Sequence, residues 1–256
     1  MKWLFSKSSL KILESLSFTQ TLYAFDFDGT LSKIVRHPHQ AKMTKTTADL
    51  LLQLSRQVPV AIVSGRSLDD LKQRVEFQPK YLIGNHGIEG VNYRWNSLLE
   101  AKNQCELWKT KLEQFSFDSG VQIENKMYSL SIHYRRSRHK KLSREQIKNA
   151  IANLNPMPQV IPGKCVFNLL PIGAPHKGAS LLELIKQDEA KHAFYIGDDD
   201  TDEDVFGLHE VQMMTVRVGE KKTSHAQFYI RRQSEINRLL KLLIHYRQTF
   251  HPGRRK

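Results

Sequence analysis

The sequence contains little cysteine and no long apolar run. Among 256 residues the only cysteines are Cys105 and Cys165, and they do not form a C-x-x-C pair. This excludes a disulfide framework and a cysteine zinc site, and it favours a reducing, cytoplasmic location. No apolar run approaches the roughly 20 residues that a membrane-spanning helix needs. The N-terminus has only three apolar residues in a row before Lys7, so we expect neither a secretory signal nor a membrane partner.

The charge of the chain is strongly positive. Lysine and arginine outnumber aspartate and glutamate by 39 to 26, a formal net charge of +13. Much of the excess lies in a basic block from Arg135 to Lys148 and in a basic tail, Arg254 to Lys256. No zinc finger, heptad repeat or aromatic-interleaved RNA-binding motif accompanies these residues. We therefore expect a solvated face that attracts a small anion and no nucleic-acid partner, and a non-enzymatic nucleic-acid-binding protein is the remote alternative.

Short apolar segments alternate with helical patterns toward both ends of the chain. The segments predicted to be strands are 22–25, 60–63, 81–83, 193–196 and 214–218. Apolar strands of this kind, separated by helices, are typical of a parallel sheet covered on both faces. The sequence therefore predicts an α/β fold whose core is a doubly wound, Rossmann-like parallel sheet.

The middle of the chain has a different pattern. Apolar residues alternate with polar ones from Tyr128 to Tyr134, which predicts a half-buried antiparallel strand with Ser129 and Ser131 on its other face. Helical patterns precede this strand and begin again at Ser143. We therefore expect residues 99–170 to form a smaller inserted α/β cap domain over the sheet, and residues 1–98 and 171–256 to form the core.

Three polar clusters each follow the end of a predicted strand. Asp26 to Thr30 follows the first strand, Ser64 to Arg66 the second, and Gly197 to Glu203 the strand at 193–196. In an open parallel sheet, ligands bind beyond the carboxyl ends of the strands. One pocket is therefore expected to collect all three clusters.

Acidic residues are concentrated at this expected pocket. Six carboxylates occur from Asp198 to Asp204, and Asp26 and Asp28 would face them. Carboxylates this dense repel one another unless a cation lies among them, and oxygen ligands suit Mg²⁺ rather than Zn²⁺. An EF-hand is excluded because the glycine it needs at position six is Glu203. The sequence therefore predicts a magnesium site.

The same residues suit phosphoryl transfer. A carboxylate such as Asp26 can attack phosphorus and form an aspartyl-phosphate that water then hydrolyses. Asp28 could protonate the leaving alcohol and later deprotonate the water. Ser64 can donate to the phosphoryl oxygens, and Lys177, at a predicted helix start, adds a positive charge. Each residue alone is common in turns, caps or surfaces, but together at strand ends they predict a phosphatase.

These motifs resemble those of the haloacid dehalogenase superfamily of phosphatases, and within it the trehalose-6-phosphate phosphatases. The matching runs are Phe25 to Leu31, Ser64 to Arg66, Gly84 to Glu89, His133 to Arg135, Lys177 to Gly178, and Gly197 to Glu203. The last run, Gly-Asp-Asp-x-Thr-Asp-Glu, is far more specific to the trehalose branch than Asp-x-Asp is to the superfamily. The resemblance implies a Mg²⁺-dependent hydrolase of trehalose 6-phosphate, and our working expectation is a monomer.

The resemblance also implies roles for individual residues. Asp26 would be the nucleophile and a metal ligand, and Asp28 the acid/base that also lends its backbone carbonyl to the metal. Asp198 would bind the metal directly and Asp202 through water. The residues expected to hold the phosphoryl group are Ser64, Gly65 and Lys177.

Substrate contacts are expected from both the core and the insert. The residues are Arg66, His86, Glu124, Lys126 and Asn168. Glu124 and Lys126 match a Glu-x-Lys run that contacts the sugar in the family. Asn168 and Leu170 depart from the pattern, which usually has a glutamate and a basic residue at these two positions. The departure leaves open a phosphatase of another sugar conjugate, such as glucosylglycerol phosphate or a glycosyl-phosphoglycerate.

Overall fold

The computed structural model describes residues 1–35, 37–91 and 98–250. The basic tail lies outside these ranges. Within them the strands are β1 (Lys2–Trp3), β2 (Thr21–Asp26), β3 (Val60–Val63), β4 (Tyr81–Ile83), β5 (Gln122–Asn125), β6 (Leu130–His133), β7 (Gln159–Gly163), β8 (Val166–Leu170), β9 (His192–Gly197), β10 (Gln212–Val218) and β11 (Phe228–Ile230). The helices are α1 (Lys7–Ser15), α2 (Lys45–Ser55), α3 (Leu68–Arg74), α4 (Leu98–Leu112), α5 (Lys140–Ala152), α6 (Lys177–Gln187), α7 (Glu203–Phe206) and α8 (Ile236–Phe250). None of these helices is long and apolar enough to cross a membrane.

The larger sheet has seven strands in the order β1-β11-β10-β9-β2-β3-β4, and every pairing in it is parallel. Both faces of the sheet are covered. Tyr23 and Phe25 of β2 pack into one buried cluster with residues of α2 and α8. Leu22 and Ala24, on the opposite face of the same strand, pack with residues of α6 and α7. The predicted doubly wound parallel sheet is confirmed.

N-cap residues mark the first turns of two helices, α3 and α6. The Ser67 hydroxyl accepts a hydrogen bond from the backbone N–H of Asp70 at 3.3 Å, which caps α3. Helix α6 begins at Lys177, as predicted, with His176 as its N-cap. Lys177 therefore lies in the first turn of α6, where backbone N–H groups have no acceptor within the helix.

The chain divides into two compact units, one comprising Met1–Val91 and His176–Lys256 and the other Asn92–Pro175. The second unit has its own antiparallel sheet, in the order β5-β6-β8-β7. Trp108 of α4, Leu130 of β6 and Ile147 of α5 belong to a separate buried cluster there. The predicted insert at 99–170 lies within this unit, and its action as a cap stays a prediction.

Two local predictions in the second unit are wrong. Ser129 and Ser131, which the alternation placed opposite the buried face, are fully buried. Ser131 donates to the side-chain oxygen of Asn168 on the neighbouring strand at 2.6 Å, so its hydroxyl can be buried at little cost. Helix α5 begins at Lys140, and Ser143 lies buried inside it instead of opening it.

Candidate active site

The three polar clusters lie at one edge of the larger sheet. Strands β9, β2 and β3 are neighbours and run parallel, so their carboxyl ends meet at that edge. Asp26 is the last residue of β2, Ser64 follows β3, and Asp198 follows β9. All three side chains are buried. The order of the strands thus produces the grouping that the sequence predicts.

A buried lysine joins two of the predicted acids. The Nζ atom of Lys177 donates to Asp26 Oδ1 and to Asp202 Oδ1, both at 2.8 Å. Asp202 Oδ1 also accepts from the Tyr195 hydroxyl at 2.7 Å, and its Oδ2 accepts from the backbone N–H of Asp199 at 2.9 Å. Both oxygens of Asp202 are therefore engaged by the protein, and this carboxylate anchors Lys177 beside Asp26.

The surroundings shift the pKa values of Asp26 and Asp202 in opposite directions. Burial raises the pKa of Asp26 well above its usual range, and the charges of Asp202 and Asp198 add to the shift while Lys177 opposes it. Burial acts on Asp202 in the same direction, but Lys177 and the hydrogen bonds from Asp199 and Tyr195 outweigh it and lower the pKa of Asp202. Burial disfavours the charged Lys177, yet Asp202 and Asp26 raise the pKa of Lys177 well above its usual range. The group therefore concentrates negative charge around one ammonium.

Three of the predicted ligands can share one metal ion. One carboxylate oxygen from each of Asp26, Asp198 and Asp202 lies within 4.8 Å of the others. Within the described ranges, Asp26 Oδ2 is buried without a hydrogen-bond partner, which is costly for a carboxylate oxygen. The Lys177 ammonium pairs with two of these three carboxylates, those of Asp26 and Asp202. This oxygen donor set fits a hard divalent cation.

The loop after β9, which carries Asp198, packs closely on the loop after β2 at Gly29. Gly29 has φ +86°, and a Cβ atom at this position would lie 2.3 Å from the Asp198 carboxylate. Any side chain here would displace Asp198 and would also strain the backbone. Gly29 therefore lets Asp198 pack directly against the chain that carries Asp26 and Asp28.

The predicted acid/base, Asp28, is held in a bidentate ion pair. Arg66 Nε donates to Asp28 Oδ2 and Arg66 Nη2 donates to Asp28 Oδ1, each at 2.7 Å. The Arg66 side chain is 10% exposed and lies 5.5 Å from the centroid of the Phe27 ring. A bidentate pair fixes the plane of the carboxylate as well as its position. The structure thus places Arg66, a predicted substrate contact, against Asp28.

The second and third matching runs, Ser64 to Arg66 and Gly84 to Glu89, are joined by backbone hydrogen bonds. The backbone N–H of His86 donates to the carbonyl of Ser64 at 3.1 Å, and that of Asn85 donates to the carbonyl of Arg66 at 2.6 Å. A Cβ atom on Gly65 would lie 2.5 Å from the His86 ring, so the ring packs on the Gly65 backbone. His86 is buried and has the left-handed φ of 59°, a conformation that clusters at functional sites. The phosphoryl role of Ser64 and Gly65 stays a prediction.

Two of the predicted sugar contacts lie at β5 in the second unit. Glu124 is the third residue of this strand, and its side chain is 47% exposed. The Glu124 carboxylate lies 2.8 Å from Nε2 of His133 on the neighbouring strand. Lys126 directly follows β5 and is half-buried. Their contact with a sugar stays a prediction.

The side chain of Asn168, the third predicted contact in this unit, hydrogen-bonds to the two neighbouring strands of its own sheet. It is 5% exposed. Its Oδ1 accepts from Ser131 at 2.6 Å and its Nδ2 donates to the carbonyl of Ile161 at 3.3 Å. A glutamate in this geometry would accept from Ser131 but could not donate to Ile161. The departure from the family pattern therefore has a structural correlate, because the position needs one donor and one acceptor.

Sequence reasoning missed two residues that hold the acidic loop, Asp198 to Asp204, in place. Tyr195 was interpreted only as part of an apolar strand, whereas its hydroxyl holds Asp202. Arg217 of β10 is buried and donates to the Asp199 carbonyl at 3.0 Å and to the Glu203 carboxylate at 2.9 Å. A single charged residue inside a mostly apolar strand was the available signal for this contact, since buried charges are almost always paired.

Comparison with known proteins gives matches over most of the chain. The family model described as trehalose-phosphatase matches residues 24–234. A probable trehalose-phosphate phosphatase E of Arabidopsis thaliana is 28% identical over 93% of this chain and 74% of the relative. A trehalose-phosphate phosphatase of Mycobacterium tuberculosis is 30% identical over 78% of this chain, which spans about half of that relative (54%).

A solved structure has the same fold. The C-terminal domain of the trehalose-6-phosphate phosphatase of Candida albicans superposes with a TM-score of 0.75. The match covers 92% of this chain and 96% of that one, at 23% sequence identity. At this identity the likeness shows a common fold.

Proposed function

The chain belongs to the trehalose-phosphatase family, and from this premise we propose that it hydrolyses trehalose 6-phosphate to trehalose and inorganic phosphate. The observation that carries the proposal is the buried group of Asp26, Lys177 and Asp202 at the carboxyl ends of β2 and β9. The group offers a nucleophile, a fixed positive charge and a metal-ligand set within one hydrogen-bonded cluster. Asp28, two residues from Asp26, supplies the proton-transfer group that a phosphomonoesterase needs.

The proposed reaction has two steps on the Asp26 carboxylate. In the first, Asp26 attacks phosphorus, and the bond between phosphorus and the sugar oxygen breaks as Asp28 gives its proton to that oxygen. Trehalose leaves and an aspartyl-phosphate remains. In the second, water attacks the phosphorus as Asp28 takes a proton from it, and phosphate departs with Asp26 restored.

The charge that develops on the phosphoryl oxygens needs donors. We assign this role to Ser64, to the backbone of Gly65 and to Lys177, whose ammonium already contacts Asp26. Mg²⁺ is the proposed ion for Asp26, Asp198 and Asp202, with the backbone carbonyl of Asp28. When bound, it would neutralise the phosphoryl oxygens and the carboxylates during transfer.

Recognition of the sugar is proposed for Glu124 and Lys126 in the second unit and for His86 in the first. Glu124 is the best placed of these for a hydroxyl group because its carboxylate is about half exposed, and charge-assisted hydrogen bonds are roughly twice as strong as neutral ones. Asn168 can add little, since its carbonyl and amide already bind Ser131 and Ile161. This favours a second candidate, a phosphatase of another sugar conjugate such as glucosylglycerol phosphate.

A substrate panel separates these two candidates. We expect kcat/KM for trehalose 6-phosphate to exceed that for glucose 6-phosphate and for glucosylglycerol phosphate by tenfold or more, about 1.4 kcal/mol. Phosphate release from the three compounds at equal enzyme concentration measures it. A tenfold preference for glucosylglycerol phosphate would replace the trehalose assignment, and equal values would mean a general sugar phosphatase. Glu124→Gln should lower kcat/KM for trehalose 6-phosphate, with Glu113→Gln, an exposed residue of the same unit, as its control.

We also propose a cytoplasmic location. Both Cys105 and Cys165 are free thiols, as is usual for proteins of reducing compartments.

The basic block contributes to the structure of its own unit, because Arg135 donates to the Lys164 carbonyl at 2.9 Å and Lys148 lies 3.5 Å from the Glu145 carboxylate. These contacts support a structural and solvated role for the block over a nucleic-acid partner.

A further inference from the structure

A chain of ion pairs leads from Asp28 along one side of α3. Arg66, which pairs with Asp28, also donates from Nη1 to Asp70 Oδ2 at 2.7 Å. Asp70 then accepts twice from Arg74, at 2.8 Å from Nε to Oδ2 and at 2.6 Å from Nη2 to Oδ1. The side chains of Arg66 and Arg74 are only 10% and 14% exposed, and that of Asp70 is 33% exposed. Asp70 therefore bridges two largely buried guanidinium groups that would otherwise repel each other.

Backbone carbonyls in the segment 38–41 hold both arginine side chains. Arg66 Nη2 donates to the carbonyl of Pro38 at 2.9 Å. Arg74 Nη1 donates to the carbonyls of His39 at 3.0 Å and Ala41 at 2.7 Å. A guanidinium group has a planar fork of donors, so contacts on several edges fix its orientation. Arg66 is consequently oriented by Asp70 and Pro38, on the sides that do not face Asp28.

We propose that Asp70 and Arg74 are positioning residues for proton transfer, because they hold Arg66 in the orientation in which it grips both oxygens of Asp28. This inference rests on the proposed function, in which Asp28 gives and takes the proton. A carboxylate that gives a proton to the sugar oxygen and later takes one from water must lie in the same place at both steps. A displacement of about 1 Å at a reacting group can cost about 10²-fold in rate.

The rival explanation is a purely structural clamp between α3 and the segment 38–41. Helix α3 has other anchors, since Ser67 caps it and Leu71 is fully buried. The two explanations differ in what they do to the reaction. Loss of a structural clamp should affect every substrate alike, whereas a displaced Asp28 should matter only where the leaving group needs a proton.

The test uses Asp70→Asn in the full chain and two substrates. Asparagine keeps the size of the side chain but loses the charge and one acceptor oxygen. We compare kcat/KM, which reports the steps up to departure of the leaving group, on trehalose 6-phosphate and on p-nitrophenyl phosphate, whose nitrophenolate leaves without a proton. The expected loss is about 10- to 100-fold on the sugar phosphate and much smaller on the aryl phosphate.

The matched control is Asp69→Asn. Asp69 is the neighbour of Asp70 on α3, is 80% exposed and lies 3.6 Å from Lys72, so its loss should change neither value. Arg66→Gln should show the same substrate-dependent loss, and adding Asp70→Asn to it should cost nothing further if Asp70 acts through Arg66.

Several results would overturn the inference. These are an equal loss on both substrates, no loss on either, or fully additive losses in the Arg66→Gln background. Wild-type protein that releases phosphate from neither compound would instead contradict the proposed function, and the inference would fall with it.

Discussion

Asp26→Asn is expected to abolish phosphate release while the protein stays folded. An amide cannot form the phosphoryl bond, and general acid–base assistance alone is worth about 10² to 10⁴. Activity above about a hundredth of wild type would therefore contradict a covalent role for Asp26. The measurement is single-turnover phosphate release from trehalose 6-phosphate.

The fold should tolerate this substitution because of the charges around it. Burial already disfavours the ionised form of Asp26, and asparagine is neutral and of nearly the same size. Lys177 keeps its second partner, Asp202, at 2.8 Å. We expect the melting temperature of Asp26→Asn to equal or exceed that of wild type. Circular dichroism and thermal unfolding separate this outcome from inactivity through misfolding.

Removal of divalent metal is expected to have an effect of similar size. Chelation with excess EDTA should abolish phosphate release, and added Mg²⁺ should restore it. Ca²⁺ should restore little or no activity, because it accepts looser and higher coordination than in-line phosphoryl transfer needs. Undiminished activity in excess EDTA would remove the metal from the mechanism.

Two variants of the acidic loop localise the metal effect. Asp198→Ala should reproduce the chelated state, since Asp198 lies in the group that shares a metal site with Asp26. Asp200→Ala is the matched control, because Asp200 is an exposed acid of the same loop that pairs with Lys221 and lies outside that group. Equal losses in both variants would indicate a general effect of charge in the loop.

Continuous apolar runs made much of the fold predictable. The segment 60–63 coincides with β3, whose four residues are all buried, because strands buried on both faces need such runs. The segment 81–83 coincides with β4 at the edge of the sheet. The two strands at one end of the sheet, β1 and β11, of two and three residues, were not predicted. Neither of these two segments carries a measurable period, and their pairing depends on the rest of the sheet. In the second unit, alternation failed at Ser131, because a cross-strand hydrogen bond to Asn168 compensates its burial.

The arrangement of the site was predictable only in part. Asp26, Ser64 and Asp198 meet at one edge because of the strand order, which general rules for parallel sheets anticipate. The partners of each side chain could not be read from the sequence, since ion pairs such as Asp28 with Arg66 join residues far apart in the chain. Tyr195 illustrates the limit, because its ring packs in the apolar core while its hydroxyl reaches Asp202. The roles assigned to these residues are predictions.

Trapping the phosphoryl group on Asp26 is the most direct test of the account. The Asp28→Asn variant with p-nitrophenyl phosphate should form the aspartyl-phosphate, since nitrophenolate leaves without a proton, but should hydrolyse it slowly for want of a base. The account predicts a burst of about one nitrophenolate per chain, with phosphate located on Asp26 by mass spectrometry of the quenched protein. Steady release without a burst and with no phosphate on the protein, or phosphate on another residue, would contradict it.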